Sequence, residues 1–354
     1  MSAKPPLNPL SMIGQIASAV GGTVGDIVRE VRQDLQEMTP PESSKAPKPS
    51  ITPQHVGGSG GMAHVEVEAV AVPAQPAEAV AGTKQVNPWD DASKPGLMTV
   101  DACFMAAGEG DVTRYAAALG KELDKPFTLP LVAVDAGKSE AVEALKTAMA
   151  ADPRLFGAVG FGPRHVQDDL DALDDTLTTL LNDNPKLLAV GPVGLDEPYA
   201  PYTIPQQVEQ LVRQLELAHD FGLPVILAHA RSLPHMKAVL EGLENLPKLI
   251  WANPLETEED IALVRKLDAY VLVRPEITYE EHRVARENLR RILPERWLLG
   301  SGSSLVAPHA RSGHPNGPEG LAHTLKTFAA LLDKPVAEVR TMLNANARAV
   351  FVGV

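Results

Sequence analysis

Two arginines and a run of small residues carry the clearest chemical potential in this sequence of 354 residues. Gly300-Ser301-Gly302-Ser303-Ser304 offers closely spaced backbone N–H groups, and Arg164 and Arg231 offer fork-shaped cations. Gly/Ser loops with arginines bind phosphate or carboxylate without a metal, so Arg164, Arg231, Ser301 and Ser303 are candidates for a small anionic ligand. The competing reading is a site that is filled and binds nothing. A nucleophilic serine within Ser301–Ser304 would need a base, and none is identifiable. His229 stands two residues before Arg231, and His309 and His314 lie on a polar loop, where two histidines are ordinarily solvated. No Gly-x-Gly-x-x-Gly, no phosphate-binding loop with Gly-Lys-Ser/Thr and no Cys-x-x-Cys occurs.

The elements that would position these residues follow from short apolar runs alternating with helical patterns. Strands are expected at Leu97–Phe104, Leu129–Val134, Leu155–Gly160, Leu187–Val193, Pro224–His229, Lys248–Ala252, Ala269–Val273 and Trp297–Ser301. Helices are expected between most of them, including Val208–Phe221, Leu233–Leu243 and Thr257–Leu267, with a last helix over Pro335–Val350. Such a succession predicts an α/β fold, a TIM-type (β/α)8 barrel over residues 96–354. Two further segments precede it. Residues 1–38 carry Ile13, Ile16, Val20, Val24, Ile27, Val31 and Leu35, an apolar stripe of an amphipathic helix and a candidate partner-docking surface. Residues 39–95 have the Pro/Ala/Gly-rich composition of a disordered linker, with a Gly57-Gly58-Ser59-Gly60-Gly61 joint within it.

Several runs in the barrel segment resemble a TatD-type metal-dependent hydrolase of the amidohydrolase-like superfamily. They are Leu155–Pro163, Lys186–Asp196, Gln207–Arg231, Trp297–Pro308 and Asn344–Phe351, in the family's order. The resemblance implies a mouth in which His and carboxylate side chains hold one or two divalent ions and activate water. At those positions the sequence departs from the pattern. Cys103 and Met105 follow Asp101 where two histidines are expected, and Pro192 replaces a bridging glutamate. The third-strand His-Pro-His becomes Gly162-Pro163-Arg164, the sixth-strand His is lost within Ile250–Asn253, and Gly302 replaces the catalytic Asp. His229 and Asp101 remain as weak metal candidates. Ala228, however, takes the gapless register, and a slip of one residue on a strand reverses the face a side chain uses.

The resemblance combined with this loss predicts a catalytically inactive barrel, a pseudoenzyme needing no cofactor and acting as a binding or scaffolding protein. The alternative is a TatD-type phosphoesterase or deoxyribonuclease with a rebuilt site holding Zn, Mn or Mg. A net charge of −13 counts against nucleic acid as a partner, which leaves a protein partner for the N-terminal helix. One cysteine excludes an internal disulfide, and no apolar run of about 20 residues is present, so a cytoplasmic protein is expected.

Overall fold

Alternating apolar runs and amphipathic stretches fold as successive strand–helix units. The computed structural model describes residues 99–120 and 128–351. The expected apolar helix of residues 1–38 and the linker of residues 39–95 lie outside the described residues. The strands are β1 (Thr99–Met105), β2 (Thr128–Asp135), β3 (Phe156–Gly160), β4 (Leu187–Asp196), β5 (Val225–Ala230), β6 (Leu249–Trp251), β7 (Tyr270–Val273), β8 (Trp297–Leu299) and β9 (Gly302–Ser303). All pairings are parallel, in the order β8-β7-β6-β5-β4-β3-β2-β1-β9. The eighth expected strand, Trp297–Ser301, breaks at Gly300 and resumes as β9. There Gly302 and Ser303 pair with Phe104 and Met105 of β1, which closes the barrel.

The helices are α1 (Glu109–Gly120), α2 (Ser139–Ala151), α3 (Leu170–Asp183), α4 (Ile204–Phe221), α5 (Leu233–Gly242), α6 (Glu258–Lys266), α7 (Arg283–Asn288), α8 (Leu321–Leu331) and α9 (Val336–Phe351). Period-two alternation sorts the strand residues into two cores. Val132, Val134, Val159, Leu227, Trp251, Val271 and Leu299 pack outward under the helices. Ala133, Ala158, Ala189, Ile226, Ile250, Leu272 and Leu298 fill the barrel interior. None of the described helices is long and apolar enough to cross a membrane.

The β4–β5 pair carries an extra residue. Val190 pairs with Val225 but Val193 pairs with Leu227, so a bulge holds Gly191 and Pro192, joined by a cis peptide bond. Gly194 follows at φ 146°, and a Cβ there would lie 1.8 Å from the Ala228 carbonyl oxygen. Only glycine fits this crossing of β4 over β5.

Candidate functional site at the barrel mouth

The C-terminal ends of the strands form the face on which barrels of this kind place their chemistry. Cys103 and Met105 on β1, Ala228 on β5 and Ala252 after β6 all belong to the interior cluster beneath that face. A thiol, a thioether and methyl groups are thus what this chain turns inward. Burial, then the charge of Asp101, pushes the Cys103 thiol up against the opposing effect of Arg274. These groups do not fit a hard divalent ion, which takes oxygen and imidazole donors. Among the described residues, no group of three or more His, Cys, Asp or Glu side chains is placed to hold a metal.

Asp101 turns away from this set. Its carboxylate is fully buried and accepts hydrogen bonds from the Tyr115 hydroxyl of α1, the Ser301 hydroxyl and the Ser301 N–H, the last at 2.8 Å. Burial pushes its pKa above the usual carboxylate value, opposed by these hydrogen bonds. Asp101 therefore ties β1 to α1 and to the β8–β9 break.

Gly302 is the most informative position. It sits at φ 67°, and a Cβ built there would meet Arg274 at 2.8 Å from Nε, 3.3 Å from Cγ and 3.4 Å from Cδ. The Arg274 side chain, from the end of β7, thus occupies the space over the position where the resemblance expects a catalytic aspartate. Its Nη1 donates to the Ala252 carbonyl and its Nη2 to Glu276 Oε1. Arg274 Nε and Glu276 Oε2 are buried without a hydrogen-bond partner. A cavity of about 20 Å³ lined by both residues has room for one water. A similar substitution of space occurs at Gly162, where a Cβ would lie 2.7 Å from Asp135 Oδ2. Asp135, at the end of β2, pairs with His165 Nδ1 at 2.8 Å and accepts the Gly137 N–H at 2.9 Å. At Gly302 a charged side chain from the end of β7, and at Gly162 one from the end of β2, lies where a Cβ would project.

The rim is held by buried amides. Three glutamines on one face of α4 act as surrogate partners for the ends of β3 and β4. Gln214 accepts the Phe161 N–H at 2.7 Å and donates to the Phe161 carbonyl at 3.0 Å. Gln210 donates to the Phe161 carbonyl at 3.1 Å and accepts the Gln167 N–H at 2.8 Å, while Gln207 accepts the Asp196 N–H at 2.8 Å. The Asn253 side chain pairs with both backbone groups of His229, and Asn316 donates to the Ser301 and Ser303 carbonyls at 2.6 and 2.9 Å.

The residues singled out in the sequence do not converge. His229 and Asp101 cannot share a metal: Ala228 takes the inward position, and His229 turns outward against the Trp251 ring, at 5.2 Å between centroids. Its Nε2 lies 3.9 Å from Asp260 Oδ1 of α6. Ser301 offers no free donor to an anion, because it is buried and its hydroxyl and N–H both serve Asp101. The Ser303 hydroxyl accepts the Leu305 N–H at 3.1 Å. Arg164 is held through Nε by Asp196 at 2.9 Å and lies over the Tyr199 ring, 5.5 Å from its centroid. Arg231 is exposed at φ 53° on the loop after β5, whose last residue, Ala230, pairs with Asp196. Of the original anion set, these two arginines are what lie along the β3–β5 rim. His309 packs edge-on against Tyr279 at 5.3 Å.

Arg274, Glu276, Asp135 and the glutamines were not apparent as site residues from the sequence. The signal for the glutamines was available, since their spacing of three and four puts them on one helical face. The signal for Arg274 was not, because it depends on which side chain crosses above Gly302.

Residues 109–352 match the TatD-related DNase family. A metal-dependent hydrolase of Mycoplasma pneumoniae, itself uncharacterized, is 27% identical over 205 residues, which cover 56% of this chain and 78% of the relative. The 3'-5' ssDNA/RNA exonuclease TatD of Musicola paradisiaca is 25% identical over 226 residues, 61% of this chain and 83% of the relative. The crystal structure of YjjV, a TatD homolog from Escherichia coli K12, superposes with a TM-score of 0.61 at 22% identity, covering 72% of this chain and 98% of that one.

Proposed function

This chain belongs to the TatD-related DNase family, and from the residues at its mouth we propose that it works without the family's metal chemistry, as a binding or scaffolding barrel. The observation that carries this reading is Arg274, whose side chain lies where an aspartate at position 302 would project. The interior cluster beneath the mouth includes Cys103, Met105, Ala228 and Ala252, whose side chains supply no oxygen or imidazole donor. A shared fold does not preserve chemistry once the site is gone. In this reading the segment of residues 1–38 docks a protein partner through Ile13, Ile16, Val20, Val24, Ile27, Val31 and Leu35. Arg164 and Arg231 make the rim between β3 and β5 the place for a small anion.

The second reading is a metal-dependent phosphoesterase or nuclease, and the relatives favour it over a scaffold, since they carry the names of metal-dependent hydrolases and a nuclease. It requires donors from outside the interior set described above. The two readings separate in a hydrolysis assay on single-stranded DNA, RNA and an activated phosphodiester, with Zn, Mn or Mg added. The scaffold reading predicts rates equal to buffer with metal. Turnover that is lost with chelator and restored by metal would establish the hydrolase instead.

A further inference from the structure

We propose that Arg274 is a built-in cation that bars divalent ions from this barrel, so that restoring the missing ligands would not by itself restore a metal centre. The inference rests on the metal-free reading above and adds a cause to it: the space is occupied by an ion-paired guanidinium, beyond the absence of donors. A site that had merely lost donors would leave space at Gly302. Here the stem of Arg274 takes that space, with Cγ and Cδ within 3.4 Å of a Cβ at position 302.

The side chain is also fixed. Nη1 donates to the Ala252 carbonyl and Nη2 to Glu276, and the side chain is only 13% exposed. One guanidinium thereby bridges the ends of β6, β7 and β9. Its charge reaches β1 as well, where it acts on Cys103. The nearest carboxylate, Glu276, already has its partner in Arg274 and brings no uncompensated negative charge to attract a metal. The pair is closed on itself, so an incoming divalent ion would find no free carboxylate there and would meet a guanidinium, which has donors and no acceptor, in the space over Gly302. An aspartate introduced at position 302 would pair with Arg274 before it could serve a metal.

The test compares three full-length chains: the natural one, Cys103→His/Met105→His/Pro192→Glu/Gly302→Asp with Arg274 kept, and the same four changes with Arg274→Ala. Each is incubated with zinc or manganese and desalted, its metal content is read by mass spectrometry, and its fold is checked by thermal unfolding. The expected result is below about a tenth of an ion per chain in the first two and about one ion in the third, a rise of roughly tenfold. One ion in the chain that keeps Arg274, or none in the chain that lacks it, would overturn the proposal. Metal in the natural chain would instead refute the metal-free reading itself. If the multiply substituted chains fail to fold, Gly302→Asp alone and Gly302→Asp/Arg274→Met replace them. Manganese should then raise the melting temperature only of the second, and an equal shift in both would reject the role given to Arg274.

Discussion

Replacing Gln214 by leucine tests how the rim after β3 is held. The side chain is fully buried and serves both backbone groups of Phe161, at 2.7 and 3.0 Å. Leucine nearly conserves volume, so the loss comes from the backbone. The Phe161 N–H would be orphaned, while its carbonyl keeps Gln210 at 3.1 Å. An unsatisfied buried group costs about 1–3 kcal/mol and the lost second hydrogen bond about 1 kcal/mol, together roughly 2–4 kcal/mol. For a domain of this size each kcal/mol moves the melting temperature by about 2–4 °C, so a fall of roughly 5–15 °C is expected. Thermal unfolding by circular dichroism reads it directly. Gln214→Glu should do better at acid pH than at alkaline pH, because a protonated carboxyl both accepts and donates like the amide. A Gln214→Leu melting temperature within about 2 °C of the natural chain would refute the assignment of these glutamines as substitutes for a strand partner.

Asp101→Asn should change the pH dependence of stability. With the folded pKa raised above the unfolded value, the unfolded chain gives up this proton first, so the group lowers stability as pH rises through that window. The substituted protein should gain on the natural one between acid and neutral pH in urea titrations, and parallel curves would contradict the raised pKa. Asn316→Ala, which removes the donor shared by the Ser301 and Ser303 carbonyls, should cost about 2–4 kcal/mol with an unchanged urea slope. His229→Ala should lower stability by about 1–3 kcal/mol through lost packing on Trp251 and leave bound metal unchanged. Metal held by the natural chain but lost from that variant would overturn both the metal-free reading and the packing role given to His229.

Much of the barrel is legible in the sequence, because parallel strands buried on both faces read as apolar runs separated by helical periodicity. The expected strand Leu129–Val134 is observed as Thr128–Asp135, and Pro224–His229 as Val225–Ala230. The eighth strand differs because the chain breaks at Gly300 to let Ser301 reach Asp101. Cys103, Met105, Pro192 and Gly302 stand in the sequence where the resemblance expects metal ligands or a catalytic carboxylate. What lies over the two glycines was not legible, since Arg274 over Gly302 and Asp135 against Gly162 are contacts between residues at the ends of different strands, set by the fold rather than by sequence spacing. Ser301 as an anion donor failed for a related reason: a buried carboxylate from β1 claims both of its donors.

In the reading proposed above, this barrel holds no metal. Its most direct test is the metal content of the purified natural chain after incubation with zinc, manganese and magnesium, followed by desalting and mass spectrometry. Less than about a tenth of an ion per chain is expected, where a working centre of this type holds one or two. One or more tightly held ions per chain would contradict it.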